Sequence, residues 1–358
     1  MISVLVVDDS TVIRRLVTDV LSADPGIRVV GTAANGKIAL EKIEALNPDL
    51  ITLDVEMPVL DGVSTVRELR KTRPRLPVIM FSTLTSVGAD ATLAALAAGA
   101  SDYCTKPANV GSFAESLASV RDQLLPRIHA LCARRLPRVP VQRPVAKRPT
   151  ARTEQIKAVV IASSTGGPEA LRTVLNGLPG NLGVPVLVVQ HMPPVFTDML
   201  AKRIDGTSQL RVAEAQDAEP VQPGRVYIAP GDRHLELVRF AGQVRTKLHD
   251  GPKENHCRPA ADVLFRSAVE MYGGAVLGVV LTGMGQDGKR GCEKLVSAGG
   301  RVIVQDEDTS VVWGMPGVVA EAGLAEAVLP IGDVAKNIAA QVARRGMSVP
   351  AAEVSSCN

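Results

Sequence analysis

The feature that most constrains the fold is an alternation of short apolar segments with helical patterns, which occurs twice along the 358 residues. Strands that alternate with helices at this spacing predict a mainly parallel sheet with helices on both faces. In the first half we expect strands at Ile2–Val7, Ile27–Ala33, Leu50–Leu53, Pro77–Phe81 and Ser101–Cys104. In the second half we expect strands near Ile156–Ala162, Val184–Gln190, Arg225–Ala229, Ala275–Leu281 and Arg301–Val304. Single cores stop growing at roughly 250–300 residues, so two doubly wound α/β domains fit this sequence.

The connections between these segments suggest where the domains begin and end. The run HLELVRFAGQVRTKLH predicts a hairpin that turns at Ala241-Gly242, an antiparallel addition to the second sheet. Segment 124–155 is rich in proline and arginine, which favours a solvated tether whose first part continues the preceding helix; a basic binding element is the alternative. We therefore divide the chain into a first domain (1–123), a linker (124–155), a second domain (156–347) and a tail (348–358).

Composition favours a cytoplasmic protein. The sequence is 46% hydrophobic and 22% charged, and no apolar run reaches the roughly 18–20 residues of a membrane span. The start, MISVLVVDDS, is too short and too acidic for a signal peptide. A net charge of +3 predicts no nucleic-acid partner by itself. The five cysteines form no Cys-x-x-Cys pair, so we expect reduced thiols rather than disulfides or a zinc site.

Polar residues follow the predicted strands of the first domain. Asp8 and Asp9 end the first strand and Asp54 ends the third, so three carboxylates should meet at one edge of the sheet. Such a cluster suits a hard cation such as Mg²⁺. Ser82 and Lys106 end the fourth and fifth strands and would suit a phosphoryl group on an aspartate. The alternative is that these acids are ordinary caps and turn residues.

The motifs VVDDS, LDVEMPVLDG, Ser-Thr after the fourth strand and TKP resemble those of response-regulator receiver domains. The resemblance implies a flavodoxin-like, five-stranded parallel sheet. It implies that Asp54 accepts phosphate from a histidine kinase and binds Mg²⁺ together with Asp8 and Asp9. It also implies three residues that respond to the phosphoryl group, namely Ser82, Tyr103 and Lys106, with a cis peptide bond between Lys106 and Pro107.

In the second domain, AVVIASSTGGPEAL reads as a strand, a tight turn and a helix start. A serine in such a turn can bind a phosphate or act as a nucleophile beside an oxyanion hole. His191 ends the next strand, and Asp287 follows a third strand in a glycine-rich turn. These are the parts of an acyl-transfer triad, in which Ser164 attacks, His191 accepts its proton and Asp287 orients the imidazole. The alternatives are a structural histidine, a capping aspartate and a phosphate-binding turn.

The chain order Ser, His, Asp differs from that of α/β-hydrolases, and Ala162 replaces the first glycine of G-x-S-x-G. SSTGGPEAL, QHMPPVFTDMLAKRID, VYIAPGDRHLEL, RPAADVLFRS, LTGMGQDG and VVWGMPGVVAEAG instead resemble the catalytic domain of the chemotaxis protein-glutamate methylesterases, the CheB family. The resemblance covers the whole chain. Ala162 is one departure from the family pattern, and Ala260-Ala261, in place of the usual Ser-Val, is a second that we expect to alter substrate fit.

The resemblance implies a phosphorylation-activated serine hydrolase that demethylates glutamate methyl esters and deamidates glutamines on membrane chemoreceptors. It implies the triad Ser164, His191 and Asp287, and the chemotaxis histidine kinase CheA as phosphodonor. Our candidates for the oxyanion hole are the backbone N–H groups of Thr165 and Met284. We expect Mg²⁺ in the first domain and no cofactor for the hydrolase step. The rival hypotheses are a phosphorylation-controlled binding protein and a DNA-binding regulator, although no helix-turn-helix pattern is present.

Overall fold

A computed structural model describes residues 1–107, 113–133 and 154–344. The strands of the first domain are β1 (Ile2–Val7), β2 (Ile27–Ala33), β3 (Leu50–Asp54), β4 (Val78–Ser82) and β5 (Asp102–Thr105). Its helices are α1 (Thr11–Ser22), α2 (Gly36–Leu46), α3 (Gly62–Thr72), α4 (Ser86–Ala97) and α5 (Phe113–Cys132). All strand pairs are parallel, in the order β2-β1-β3-β4-β5. The predicted flavodoxin-like fold is therefore confirmed.

Local sequence explains these elements. Strands β3 and β4 are buried at every position, as expected of central parallel strands that helices cover on both faces. Helix α1 begins after Ser10, whose hydroxyl accepts a hydrogen bond from the Ile13 N–H at 3.4 Å. Helix α5 continues into the first part of the predicted linker and contains Pro126. The rest of that linker, residues 134–153, and the tail 348–358 lie outside the described residues.

The expectation of a cis peptide bond between Lys106 and Pro107 is wrong. In the described part of the chain, the cis peptide bond lies between Arg258 and Pro259.

The strands of the second domain are β6 (Ala158–Ser163), β7 (Val186–Gln190), β8 (Arg211–Glu214), β9 (Arg225–Ile228), β10 (His234–Phe240), β11 (Gln243–His249), β12 (Val276–Val280), β13 (Arg301–Gln305) and β14 (Ala327–Leu329). Its helices are α6 (Gly167–Asn176), α7 (Phe196–Asp205), α8 (Ala261–Tyr272), α9 (Lys289–Ser297), α10 (Met315–Glu321) and α11 (Ile331–Ala343). Seven strands form a parallel sheet in the order β14-β13-β12-β6-β7-β9-β8. The two edge strands, β8 and β14, were not predicted from the sequence, because they are short and only partly buried.

The predicted hairpin is present and turns at Ala241 and Gly242, both of which have positive φ. It is not an addition to the larger sheet, because β10 and β11 form a separate two-stranded sheet. The hairpin packs on α8 instead, where the Leu237 N–H donates to the Ser267 hydroxyl at 3.0 Å. Its apolar face is therefore buried by a helix, which removes the need for a strand neighbour.

The two domains are in contact. Helix α4 of the first domain packs against α6 and α7 of the second, and one cluster of buried apolar side chains extends through both domains. The ring of Tyr103, in β5, stacks on that of Phe196, the first residue of α7, with centroids 5.0 Å apart and planes 10° apart. Within the described ranges, no helix is both long enough and apolar enough to cross a membrane.

Candidate functional site

The predicted triad is carried by three adjacent strands at the centre of the seven-stranded sheet. Ser163 of β6 pairs with Gln190 of β7, so Ser164 and His191, the next residue in each case, leave the sheet side by side. The strand β12 lies on the other side of β6 and leads into the loop that carries Asp287. The strand order reverses between β6 and β12, and open α/β sheets bind ligands at such a switch point.

The turn after β6 exposes one serine and buries the other. Ser163 is fully buried, and its hydroxyl donates to Gln190 Oε1 at 2.7 Å. Ser164 is partly exposed, and its hydroxyl has no hydrogen-bond partner among the described residues. A side chain at Gly283 would place its Cβ 2.9 Å from that of Ser164, so the glycine allows the β12 loop to approach the serine closely. The turn thus leaves the Ser164 oxygen free to react.

Asp287 is held by several donors. Its Oδ2 lies 2.8 Å from Nε2 of His191, and only 2% of the residue is exposed. It also accepts hydrogen bonds from the backbone N–H groups of Ala261 (2.6 Å), Asp262 (3.2 Å) and Gly288 (3.0 Å). The side-chain amide of Asn255 donates a fourth, at 2.9 Å. Ala261 and Asp262 open helix α8, whose N-cap residue, Ala260, makes no side-chain hydrogen bond. The carboxylate of Asp287 therefore caps this helix from another loop.

The Ala-Ala departure from the family pattern lies next to the predicted triad. Ala260 and Ala261 are fully buried, and the Ala261 N–H donates to Asp287 Oδ2. Its effect on substrate fit stays a prediction.

The electrostatics of the pair follow from these contacts. Burial raises the pKa of Asp287, but hydrogen bonding and attraction to His191, together with the N–H groups of α8, lower it below its ordinary value. Burial lowers the pKa of His191, but hydrogen bonds with Asp287 and with Cys257 outweigh it, so the pKa is raised. His191 must lose a proton before it can act as a base, so activity should fall as the pH drops below this raised pKa of about 10.

The backbone around Ser164 provides unused N–H groups. Those of Thr165 and Met284 donate to no acceptor within the described ranges. Thr165 directly follows Ser164 in the chain. Met284 directly follows Gly283, the glycine that packs against Ser164. Such N–H groups can stabilise an oxyanion in the transition state of acyl transfer. The side chain of Thr165 has a different partner, because its hydroxyl donates to Asp102 Oδ2 of the first domain at 2.7 Å.

In the first domain the structure brings the three predicted acids together. Carboxylate oxygens of Asp8, Asp9 and Asp54 lie within 4.8 Å of one another. The ammonium of Lys106 lies 2.8 Å from Asp54 Oδ1 and 3.0 Å from Asp8 Oδ2. One ammonium does not balance three carboxylates, and oxygen donors at this spacing suit a divalent cation such as Mg²⁺. Burial raises the pKa of Asp54 to about 6, in spite of its hydrogen bond from Lys106.

The other two residues expected to respond to a phosphoryl group point elsewhere. The hydroxyl of Ser82 donates to the Gly88 carbonyl at 3.0 Å and is buried. Tyr103 is 7% exposed and contacts Phe196 of the second domain. Its neighbour Asp102 bridges the Thr165 hydroxyl and the Arg127 guanidinium, which lies at 3.0 Å. The structure therefore joins the β5 strand of the first domain to the turn that carries Ser164.

Several residues of the site were not predicted from the sequence. Asn255 contacts Asp287, and Cys257 contacts His191. Asp102 and Phe196 take part in the contacts between the domains. Asn255 carried a weak signal, since asparagine is common in tight turns. The others carried none, because their partners are distant in sequence.

These features define a class of protein, a response regulator whose effector is a domain of the serine-hydrolase type. Comparison with known proteins identifies the family. The response regulator receiver domain matches residues 4–118, and CheB methylesterase matches residues 159–338. The chain belongs to the CheB methylesterase family. This membership favours an enzyme over the two rival classes.

Individual relatives agree with this assignment. The chain is 55% identical to a protein-glutamate methylesterase/protein-glutamine glutaminase of a Nocardioides species, over 99% of both chains. It is 48% identical to one of the same name from Trichodesmium erythraeum, over 94% of this chain and 97% of the relative. It also resembles the crystal structure of the Thermotoga maritima CheB methylesterase catalytic domain, with 48% identity and a TM-score of 0.51. That match covers 52% of this chain and 98% of the crystallised domain.

Proposed function

We propose that this chain, in the cytoplasm, hydrolyses glutamate methyl esters and deamidates glutamine side chains on chemoreceptors, and that phosphorylation of Asp54 raises its activity. The observation that carries the proposal is the pairing of His191 with Asp287 at 2.8 Å, next to Ser164 on the adjacent strand. The names of the relatives, protein-glutamate methylesterase/protein-glutamine glutaminase, support the two side-chain substrates.

The chemistry uses protein groups and water. Asp287 occupies Nε2 of His191, which leaves Nδ1, 3.7 Å from the Cys257 sulfur, to accept the proton of Ser164 as the serine oxygen attacks the side-chain carbonyl carbon. The N–H groups of Thr165 and Met284 stabilise the oxyanion. When the intermediate collapses, the bond to the methoxy or amide group breaks and His191 returns the proton, so methanol or ammonia leaves. Water then attacks the acyl-enzyme in the same way, which releases the glutamate carboxylate and restores Ser164.

The first domain would control this reaction. Asp8, Asp9 and Asp54 would hold Mg²⁺, whose charge favours the transfer of a phosphoryl group to Asp54 from the histidine kinase CheA. Lys106 already contacts Asp54 and would pair with the new phosphoryl oxygens.

Contacts between the domains support inhibition in the unphosphorylated state. Tyr103 stacks on Phe196, and Asp102 accepts a hydrogen bond from Thr165, the residue after the nucleophile. A tethered domain has an effective concentration of about a millimolar, so even a weak interface stays occupied. We propose that phosphorylation moves Ser82 and Tyr103, weakens this interface and admits the receptor helix. The change in the equilibrium between the docked and open states is no larger than the free energy by which the phosphoryl group favours the open state.

The test of the enzymatic proposal is methanol release from methylated receptor membranes. We expect release by the wild-type chain and its loss in Ser164→Ala, which removes only the attacking oxygen. Ser163→Ala is the matched control: it should leave kcat within a few fold but lower stability by about 1–3 kcal/mol, because Gln190 Oε1 loses its buried donor. A wild-type chain that releases no methanol with a phosphodonor present, or an inverted order of the two variants, contradicts the proposal.

The test of the regulatory proposal compares the full chain with a variant that lacks residues 1–147. Deletion should raise the unphosphorylated rate at least about tenfold, the effect of a docking preference near 1.4 kcal/mol. Asp54→Asn should keep the full chain at its low rate when a phosphodonor is added. If the shortened chain is no faster than the unphosphorylated full chain, inhibition by docking is wrong.

A further inference from the structure

A tight turn at residues 254–257 lies against the triad but supplies none of its members. Its ends are paired, since the Glu254 N–H donates to the Cys257 carbonyl at 3.1 Å and the Cys257 N–H donates back at 2.8 Å. The two central residues, Asn255 and His256, both have positive φ, 51° and 64°. This is the pattern of a type I′ turn, in which asparagine is a favoured residue. The backbone therefore presents the Asn255 side chain in a defined direction.

The side-chain amide of Asn255 bridges two buried carboxylates. Its Nδ2 donates to Asp262 Oδ2 and to Asp287 Oδ1, each at 2.9 Å. Asp262 is 1% exposed and Asp287 is 2% exposed. An amide nitrogen has two hydrogens, so both are used here. Without this amide, two like charges would face each other where the dielectric is low.

Further contacts fix the turn relative to the triad. Glu254 Oε2 pairs with the guanidinium of Arg266, in helix α8, at 2.9 Å. The sulfur of Cys257 lies 3.7 Å from Nδ1 of His191. One turn thus contacts both the acid and the base of the triad.

We propose that Asn255 is a positioning residue of the hydrolase reaction, which holds the Asp287 carboxylate in the orientation that His191 requires. The two oxygens of Asp287 have separate partners: Oδ2 faces His191, and Oδ1 accepts from Asn255. Together with the backbone N–H groups of Asp262 and Gly288, the amide holds Oδ1, so the carboxylate resists rotation about its Cβ–Cγ bond and Oδ2 stays at Nε2 of His191. This inference rests on the proposed function.

The first arm of the test is a pair of glycine variants in the full-length chain. Asn255→Gly removes the amide without straining a residue at positive φ. His256→Gly is the matched control, since it changes the neighbouring position of the same turn, also at positive φ, and its exposed side chain has no hydrogen bond within the described residues. We expect Asn255→Gly to lower kcat for methanol release about tenfold to a hundredfold, the range for one hydrogen bond to a charged group, with little change in KM. His256→Gly should match the wild type.

The second arm is pH dependence, which a purely structural role would not move. The charged or titratable groups around the pair are Cys257, Asp262 and Arg266. Loss of an N–H donor concentrates charge on Asp287, which strengthens its attraction for the imidazolium and raises the pKa of His191. The acid limb of kcat/KM should therefore move to higher pH in Asn255→Gly. It should move further in Asn255→Asp, which keeps the shape of the side chain but adds a carboxylate.

NMR titration of the His191 ring measures the same shift without any substrate. If Asn255→Gly and His256→Gly give the same kcat and the same His191 titration, the inference is wrong. A lower melting temperature with an unchanged acid limb also overturns it. If the wild-type chain releases no methanol, the proposed function fails, and the NMR titration still decides whether Asn255 controls the Asp287–His191 pair. Should Asn255→Gly fold poorly, Asn255→Ser gives the same comparison, because a hydroxyl has one hydrogen and cannot bridge both carboxylates.

Discussion

Asp54 and Asp287 occupy corresponding places in the two sheets of this protein. Each is 2% exposed, and each lies at the carboxyl end of a parallel sheet, at the point where the strand order reverses. Their pKa values nevertheless move in opposite directions. Burial raises that of Asp54 to about 6, whereas hydrogen bonds outweigh burial and lower that of Asp287.

The difference lies in the donors around each carboxylate. Asp54 receives the ammonium of Lys106, which it shares with Asp8, and one long backbone hydrogen bond of 3.4 Å. Asp287 receives four N–H groups and the imidazole of His191. Equal burial therefore does not give equal acidity. The first site keeps an excess of negative charge that a cation can offset, whereas the charge of Asp287 is offset by the four N–H groups and the imidazole.

The largest effect should come from Asp287→Asn. We expect kcat to fall about 10⁴-fold, as when a triad aspartate is neutralised in serine proteases and the imidazole takes the wrong tautomer. The acid limb should also move to lower pH, because the carboxylate that raises the pKa of His191 is gone. The measurement is kcat and kcat/KM for methanol release against pH. The corresponding change at the other site, Asp54→Asn, should leave the unphosphorylated rate within about twofold; similar losses would erase the contrast between the sites.

The triad should also behave as one unit. A double variant such as Ser164→Ala with His191→Ala should lose little more activity than either single variant, because each change alone disables the same step. Single and double variants are compared by kcat/KM. Losses that multiply would show that one of the two residues is structural.

The raised pKa of Asp54 should make Mg²⁺ binding in the first domain depend on pH. A cation needs the ionised form of Asp54, whose raised pKa of about 6 means that protons compete with the metal. The affinity for Mg²⁺ should be steady above this pH and fall up to about tenfold per unit below it. Calorimetric titrations between pH 5 and pH 8 measure the trend, with Asp54→Asn as the control that loses it. A pH-independent affinity would mean that the carboxyl is already ionised throughout.

The smallest effect should come from the contact between the domains in which Asp102 accepts a hydrogen bond from Thr165. Asp102→Asn removes the charge that pairs with Arg127 and accepts from Thr165, so the docked state weakens. We expect the unphosphorylated rate to rise a few fold. Asp122→Asn is the matched control, because this aspartate lies on the surface of α5 and, among the described residues, pairs with its exposed neighbour Arg121 alone. An equal rise in both variants would argue against a specific contact.

The amino-acid sequence was enough to predict the first sheet, the central strands of the second and the polar residues at their carboxyl ends, but not the edge strands β8 and β14. Parallel strands end at the same edge, so Asp8, Asp54 and Lys106 could be placed together from strand position alone, as could Ser164 and His191. The structure then brings Lys106 to 2.8 Å from Asp54 and pairs the strands that carry Ser164 and His191. The family motifs gave the same positions. These positions can be predicted from the sequence because each depends on a local pattern that is repeated in every strand.

How these groups are held depends on contacts between distant parts of the fold. Asn255 reaches Asp287 from a separate turn, and Thr165 donates to Asp102 across the contact between the domains. The hairpin formed its own sheet because α8 was available to bury it, which alternation along β10 and β11 does not reveal. The physical reason is the same throughout. A periodic pattern shows which face of an element is buried, but the partner of a polar group in a loop depends on how distant segments pack.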